Sequence, residues 1–463
     1  MNIFRKKPFS MENEKLERVR RLKSMDLVFL GLGSMVGTGV FTLTGRAAAT
    51  VAGPSLIVSI IVASVAIGFS ALIFSEFASR IPAQGGPYGY LYTLFGEFPA
   101  WIAGTLLMIE FFTGLSVTAS GWGSYIKGLL GLHLPAVING PLGTASHFSI
   151  DLIPVLIIIA ITLLGFLGTH TMLRFNRVLV VLKLVALAIF VIAGLFFLNP
   201  DNWQNFAPFG WTSIFSGKGM LAGASLMFMA FLGFETISVS SEETKDPEHA
   251  IPSGIMGALF ITAIIYILVT LVLTGMVHYT QLDVSDVLAF ALRSVGLTWL
   301  GNIISIVALF TLLTVGITMS YALVQTLYGI SRDGLLPKKL SRLSGKYRVP
   351  KNAILLMGIL AMLVTGLFSI DRLSGFLNLC TLLYLMMLAV GIIKLRHDYG
   401  EPEEGEFRTP FVPFLPIVSL LISFGLLLNY DWITWFVLII LLLLATLFYF
   451  GYSYRHSHLK NED

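Results

Sequence analysis

The sequence predicts an all-α polytopic membrane protein with twelve transmembrane helices, and three observations carry that prediction. Of 463 residues, 56% are hydrophobic and only 12% charged, with a mean hydropathy of +0.84; a soluble domain usually carries about twice that charged fraction. Apolar windows long enough to cross about 30 Å of hydrocarbon recur from one end to the other. The basic residues gather on one side of those windows, as the positive-inside rule requires.

The windows centre on residues 27–49, 54–78, 98–121, 151–168, 178–198, 219–241, 252–277, 300–329, 353–369, 373–395, 412–429 and 432–453. The third and eighth are long, which implies tilt or extension beyond the bilayer. With residue 1 inside, the inner segments hold 24 of the 30 Lys and Arg residues, the outer segments hold five, and the last is Lys183 within span 5. Both termini are therefore expected in the cytoplasm, with the chain embedded in the cell membrane. The net charge of +4 and the pI near 9.0 are a topology signal and do not point to nucleic acid. The first 25 residues are charged and lack an apolar core, so no cleavable signal is expected. Residues 199–217 read as an outer loop, and 278–296 contain a short amphipathic helix outside. On the inner side, LPKKLSRLSGKYRVPKN and EPEEGEFRTPFVP read as solvated linkers.

Several chemistries are excluded. The single cysteine, Cys380, lies in an apolar window and leaves no disulfide or cysteine metal site. None of the eight histidines falls at mid-span, and no HExxH, GxSxG or phosphate-loop motif occurs. No enzyme, metal or cofactor is expected. Rings of polar residues that would line a channel are absent as well.

Two windows are built to come apart. Span 1 contains GSMVGTG at 33–39, and span 6 contains small residues ahead of FMAF with Gly233 after it. Glycine costs roughly 1 kcal/mol per helical position relative to alanine, and unsatisfied backbone in hydrocarbon costs several more per group. Spans 1 and 6 open two five-helix halves, 26–198 and 219–395, and matched interruptions in two halves point to a transporter site on inverted repeats. The half-helix restarting at Thr38–Gly39 offers free N–H groups and a positive dipole end to a carboxylate. The carbonyls that end the first half suit an ammonium group. The competing reading of the same glycines is close helix packing.

Ionisable groups deep in a span cost about 2.5–3.5 kcal/mol on insertion scales and are candidates for function. Glu110 in span 3 either attracts a cationic side chain, carries a proton, or is a hydrogen-bonded structural carboxyl. Lys183, among Val, Leu and Ala, is either a proton-coupling group or a fixed charge tying span 5 to the carbonyls of span 1. Glu235 is either a gating, proton-linked carboxylate or a cap on the broken helix. Nearer the inner surface, Glu76 with Arg80, and Glu242, Glu243 and Asp246 with the basic loop 332–351, are candidate gate pairs or solvated surface.

Four stretches together resemble one family: GLGSMVGTGVFTLTG, the span-2 exit FSEFASRIPAQGGPYGY, AFLGFETISVSSEETKDPEHAIP, and YGISRDGLLP after span 8. They look like the amino acid–polyamine–organocation superfamily, and most closely its bacterial cationic-amino-acid-transporter-like branch. The resemblance covers nearly the whole chain. It implies the five-plus-five inverted repeat of the leucine-transporter fold with helices 1 and 6 broken, two added helices at 412–453, and a cytoplasmic tail at 454–463. It implies a central amino acid site formed by Met35, Gly37, Thr38 and Gly39 with Phe228, Met229, Ala230 and Phe231. In that site Thr38 and Gly39 meet the substrate carboxylate, Phe228 is the gate, and Met319 and Ser320 line the side-chain pocket. It further implies that Lys183 stands where sodium-coupled relatives place a sodium ion, so protons are the expected coupling species. The expected function is proton-coupled symport of L-amino acids, cationic, small neutral or both. Obligate exchange and non-transporting amino acid sensing are the alternatives. Nothing in the sequence sets an oligomeric state.

Overall fold

A computed structural model describes residues 3–7, 22–81, 86–130, 134–140, 149–211, 217–240, 243–284, 286–345, 348–368, 370–428, 430 and 432–461. Most of the charged leader, Glu242, His133, His147 and residues 82–85 of the span-2 exit motif lie outside them. Among the described residues there are helices and three isolated backbone pairings, and no strand.

A helix lies over every predicted window. In order they are α1 (Ser24–Met35), then α2 (Thr44–Ala47) between two π-helical turns (Gly39–Leu43 and Ala48–Ala52), α3 (Leu56–Arg80), α4 (Pro87–Phe95) and α5 (Glu97–Leu130). Next come α6 (Leu152–Gly165), α7 (Thr169–Leu195), α8 (Met220–Phe228), α9 (Glu235–Ser238), α10 (Pro247–Met276), α11 (Val287–Ser294) and α12 (Thr298–Arg332). The last are α13 (Lys351–Leu367), α14 (Ile370–Tyr399), α15 (Phe414–Leu427), α16 (Trp432–Phe448) and α17 (Tyr454–His456). Among the described residues eight helical stretches are long and apolar enough to cross a membrane, Ser24–Arg80 counting as one of them; α6, α13 and α15 are shorter apolar helices. The two windows read as long are the 34-residue α5 and the 35-residue α12. The amphipathic helix expected in 278–296 is α11.

One element departs from the reading. Residues 87–95, PYGYLYTLF, form α4 and bury Tyr88, Tyr90, Leu91, Tyr92 and Leu94 almost completely. Glycines at both ends and a helix of nine residues resemble a loop in hydropathy, but Pro87 at the first turn is compatible with helix initiation. The tyrosines carry enough ring area to hold the helix against the bundle: Tyr90 stacks on Phe77 at 5.5 Å and meets Phe74 edge-on at 5.7 Å.

The charged end of the bundle is tied by buried ion pairs between distant segments. Sequence proximity paired Glu76 with Arg80, which lie 3.7 Å apart. The stronger partner is Arg396 of α14, whose guanidinium grips both Glu76 oxygens at 3.0 and 2.7 Å, while Thr409 N–H adds a third bond at 2.7 Å. Glu76 is fully buried, so this is no solvated surface charge. Asp246 pairs with exposed His249 at 3.0 Å, and Glu243 accepts from Gln325 at 3.1 Å. Leu22 exchanges backbone bonds with Glu243 and Lys245 at 2.9 and 2.8 Å, joining the start of α1 to the segment after α9.

Residues 3–7 are part of this end. Arg5 reaches Glu97 at 3.5 Å, and the Glu97 carboxylate also accepts from Tyr92 (3.1 Å), Tyr449 (2.9 Å) and Ser457 (2.5 Å). Lys7 pairs with Asp333 at 2.6 Å, and Tyr88 donates to the same carboxylate at 2.7 Å. Glu97 is fully buried and Arg5 nearly so. Removing one member of a buried, hydrogen-bonded pair strands the other and costs about 3–5 kcal/mol. Glu97→Ala is therefore expected to lower the thermal unfolding midpoint in detergent clearly, with Glu97→Gln intermediate. An unchanged midpoint in the alanine variant would mean that the node is not formed.

Candidate functional site

The first break follows from residues with no helical preference at the point where α1 ends. Val36 adopts an extended conformation (φ −83°, ψ 91°) after Met35, and the helix resumes at Thr38 and Gly39. The first N–H groups of a resumed helix have no acceptor within it; Phe41 is the first to bond back, to Gly37 O at 3.2 Å. The second break follows α8. A 3₁₀ turn spans Met229–Phe231, Leu232 is extended (ψ 150°), and Gly233 sits at φ +115°, a region that favours glycine. The Glu235 carboxylate accepts Gly233 N–H at 2.9 Å, which holds the backbone just ahead of the restarted half-helix α9.

The glycines also serve contact. A Cβ on Gly39 would lie 2.3 Å from the Tyr266 hydroxyl and 2.7 Å from Ala230 Cβ. A Cβ on Gly37 would lie 2.2 Å from Val315, and one on Gly233 would lie 2.3 Å from the Ser34 hydroxyl. Unwinding and close packing, which the sequence set against each other, occur at the same residues.

Two side chains hold the breaks. Lys183, fully buried on α7, donates to Val36 O at 2.6 Å, Gly33 O at 3.2 Å and Thr314 Oγ1 at 3.0 Å. Its three donors thus reach the carbonyls of the span-1 break and a hydroxyl of α12, and the tie foreseen between spans 5 and 1 is in place. Tyr266 on α10 was not foreseen. Its hydroxyl lies 2.9 Å from Met35 O and 3.1 Å from Ala230 O, bridging the two breaks, and its ring meets Phe231 edge-on at 5.2 Å. The available signal was a lone tyrosine in the apolar run ITAIIYILVT, because a buried phenol requires a partner.

The other candidates separate into two places. Phe228, Met229, Ala230 and Phe231 are buried at the second break. Met229 borders a cavity of about 960 Å³, together with Ile109, Phe112 and Thr113 of α5 and Ser225 of α8. Glu110 does not line that cavity. It turns the other way, toward Glu235, Thr381 and Tyr384, with Cys380 nearby. Within hydrogen-bonding geometry both Glu110 oxygens, one Glu235 oxygen and the Tyr384 hydroxyl have no partner among the described residues. Met319 and Ser320 do not line the cavity either: Met319 packs beside Gly114 of α5, and the Ser320 hydroxyl faces Met357 Sδ of α13 at 3.9 Å. They were expected in the side-chain pocket, but α12 turns this face into its packing against α5 and α13.

Paired helix breaks inside an apolar bundle, with polar backbone presented between them, point to a membrane permease. The chain belongs to the amino acid permease family of the amino acid–polyamine–organocation superfamily, whose profile matches residues 22–456. It is 38% identical to the methylthioribose transporter of Bacillus subtilis (strain 168) over 99% of both chains. It is 35% identical to the branched-chain amino acid permease BcaP of the same organism over 95% of this chain and 94% of that one. It is 31% identical to cationic amino acid transporter 4 of Mus musculus over 86% of this chain and 63% of that protein.

Proposed function

We propose that the chain is a proton-coupled symporter of L-amino acids working by alternating access, with the substrate held between the two breaks. The observation that carries this reading is the facing pair of breaks joined by Tyr266. Thr38 and Gly39 N–H groups are available to a carboxylate, while the carbonyls of Met35 and of Phe228, Met229 and Phe231 are available to an ammonium. A carbonyl accepts two bonds, so the Tyr266 contact leaves Met35 O able to take a second donor. The reading adopts twelve crossings in the leucine-transporter arrangement, with halves at 26–198 and 219–395, two further helices at 412–453, and residues 1–25 and 454–463 in the cytoplasm of a cell-membrane protein. Buried Lys183, lodged on the carbonyls of the first break, supports protons in place of sodium. Glu110 and Glu235, which do not line the cavity, form a second candidate for carrying a proton.

For the substrate side chain we favour neutral over cationic groups, because among the described residues no charged side chain lines the cavity beside Met229. Two relatives have names that bear on this, a branched-chain amino acid permease and a methylthioribose transporter. A neutral thio-sugar is the second reading, favoured by 38% identity over 99% of the chain. In that case the break N–H groups would meet hydroxyls.

Uptake into empty proteoliposomes under an inward proton gradient tests the reading. The expected result is accumulation of a neutral L-amino acid above equilibrium, abolished by a protonophore. Uptake only after preloading with amino acid would mean obligate exchange. Binding with neither uptake nor counterflow would mean a sensor, and uptake of methylthioribose alone would establish the second reading.

A further inference from the structure

The cavity that begins at Met229 is much larger than a substrate side chain. Four carbon atoms, each near the roughly 30 Å³ share of a water molecule, fill about 120 Å³ of the 960 Å³. The remainder runs past one stripe of α5, Met108, Ile109 and Phe112, and on between α13 and α16. There the lining residues Leu360 (44% exposed), Phe368 (44%) and Ile433 (66%) form its rim. Among the described residues none that lines it is charged. Apolar walls of this kind do not hold water well, and an unfilled space of this size would forfeit the contacts of its whole lining. Leu360 lies midway along α13 on a face of large exposed aliphatic side chains, so the opening beside it meets bilayer hydrocarbon, while Val51, Gly217 and Tyr430 line the cavity elsewhere.

We propose that one acyl chain of a bilayer lipid enters between α13 and α16 and lies against Met108, Ile109 and Phe112 of α5, ending near the second helix break. The chain fills the space that a substrate cannot. It also gives the lipid a direct contact with the helix that borders Met229. The partly exposed stripe on α5 is explained in the same way: 78% of that helix's most apolar window is buried, yet these three residues keep accessible surface inside the cavity.

The test uses the full-length protein in liposomes containing a phospholipid with a photoactivatable diazirine near the end of one acyl chain. Irradiation is followed by peptide mass spectrometry. The expected result is adducts on Met108 or Phe112 of α5, in addition to those on the lipid-facing side of α13 and α16. Adducts confined to outward residues such as Leu363 and Leu444, with α5 unlabelled, would overturn the proposal. Thr434→Trp narrows the passage from the α16 side and is expected to cut α5 labelling about tenfold while leaving outer labelling on α13 unchanged. The retained outer label reports a folded protein. Persistence of the α5 label in that variant would show that the chain does not enter there, and the proposal would fall.

Discussion

Lys183→Ala is expected to reduce proton-driven uptake at least 100-fold and to leave any residual counterflow indifferent to a pH gradient. The wild-type ammonium makes three contacts in a fully buried site, at 2.6, 3.2 and 3.0 Å. Hydrogen bonds to charged groups contribute about 1.5–3 kcal/mol each, and a stranded buried acceptor costs about 1–3 kcal/mol. The single Thr314 hydroxyl hydrogen is shared between Gly33 O at 3.1 Å and Thr311 O at 2.7 Å, and Val36 O loses its shortest contact. A loss of about 3 kcal/mol in holding the first break corresponds to more than 100-fold in an equilibrium, since each 1.4 kcal/mol is tenfold. Two measurements separate the roles. If Lys183 only ties α7 to α1, the variant transports slowly but keeps its full response to an imposed proton gradient. If it carries the coupled proton, that response disappears even where exchange survives. Full proton dependence in Lys183→Ala would remove the coupling role.

Gly39→Ala is expected to abolish high-affinity substrate binding while the protein remains folded. The added carbon would lie 2.3 Å from the Tyr266 hydroxyl and 2.7 Å from Ala230 Cβ. The first neighbour is the end of a rigid ring held by two carbonyls, and the second sits on the backbone of the other break. Relief requires the two breaks to separate. Overpacking of this kind typically costs about 1–3 kcal/mol, and here the strain falls on the surfaces that are to hold the substrate, so a loss of about 10- to 100-fold in affinity is expected. Gly68→Ala is the control, because a carbon there meets only Leu259 Cδ2, at 3.9 Å. Isothermal titration or scintillation proximity binding on both variants decides the matter. Equal affinity in the two would place the substrate away from the first break.

The breaks and Lys183 were legible because each violates a local rule: glycines clustered in a lipid-spanning run, and an ammonium among aliphatic neighbours. Their positions on the helices followed from spacing alone. What could not be read was the choice of distant partners. Glu76 looked committed to Arg80 four residues on, yet Arg396, 320 residues away, takes both its oxygens. Glu97 gave no signal at all, since its donors come from residues 5, 92, 449 and 457. The neighbours of Met319 and Ser320 were hidden for a related reason: periodicity shows that a helix has faces, but not which neighbour each face meets. Helix α4 was hidden because hydropathy scores glycine and proline as loop, while the burial of three tyrosines outweighs that preference. The cavity has no sequence signature, being a property of what α5, α8, α12, α13, α14 and α16 leave unfilled.

The Tyr266 hydroxyl has a consequence that follows from counting hydrogens. A phenol owns one, and two carbonyls stand within reach of it, Met35 O at 2.9 Å and Ala230 O at 3.1 Å. At any instant one break is served and the other is owed. A substrate ammonium bound as proposed would bring three hydrogens and could pair the carbonyl that the tyrosine leaves. One phenol hydrogen between two carbonyls thus leaves room at the breaks for one more donor, which the proposed substrate amine would supply.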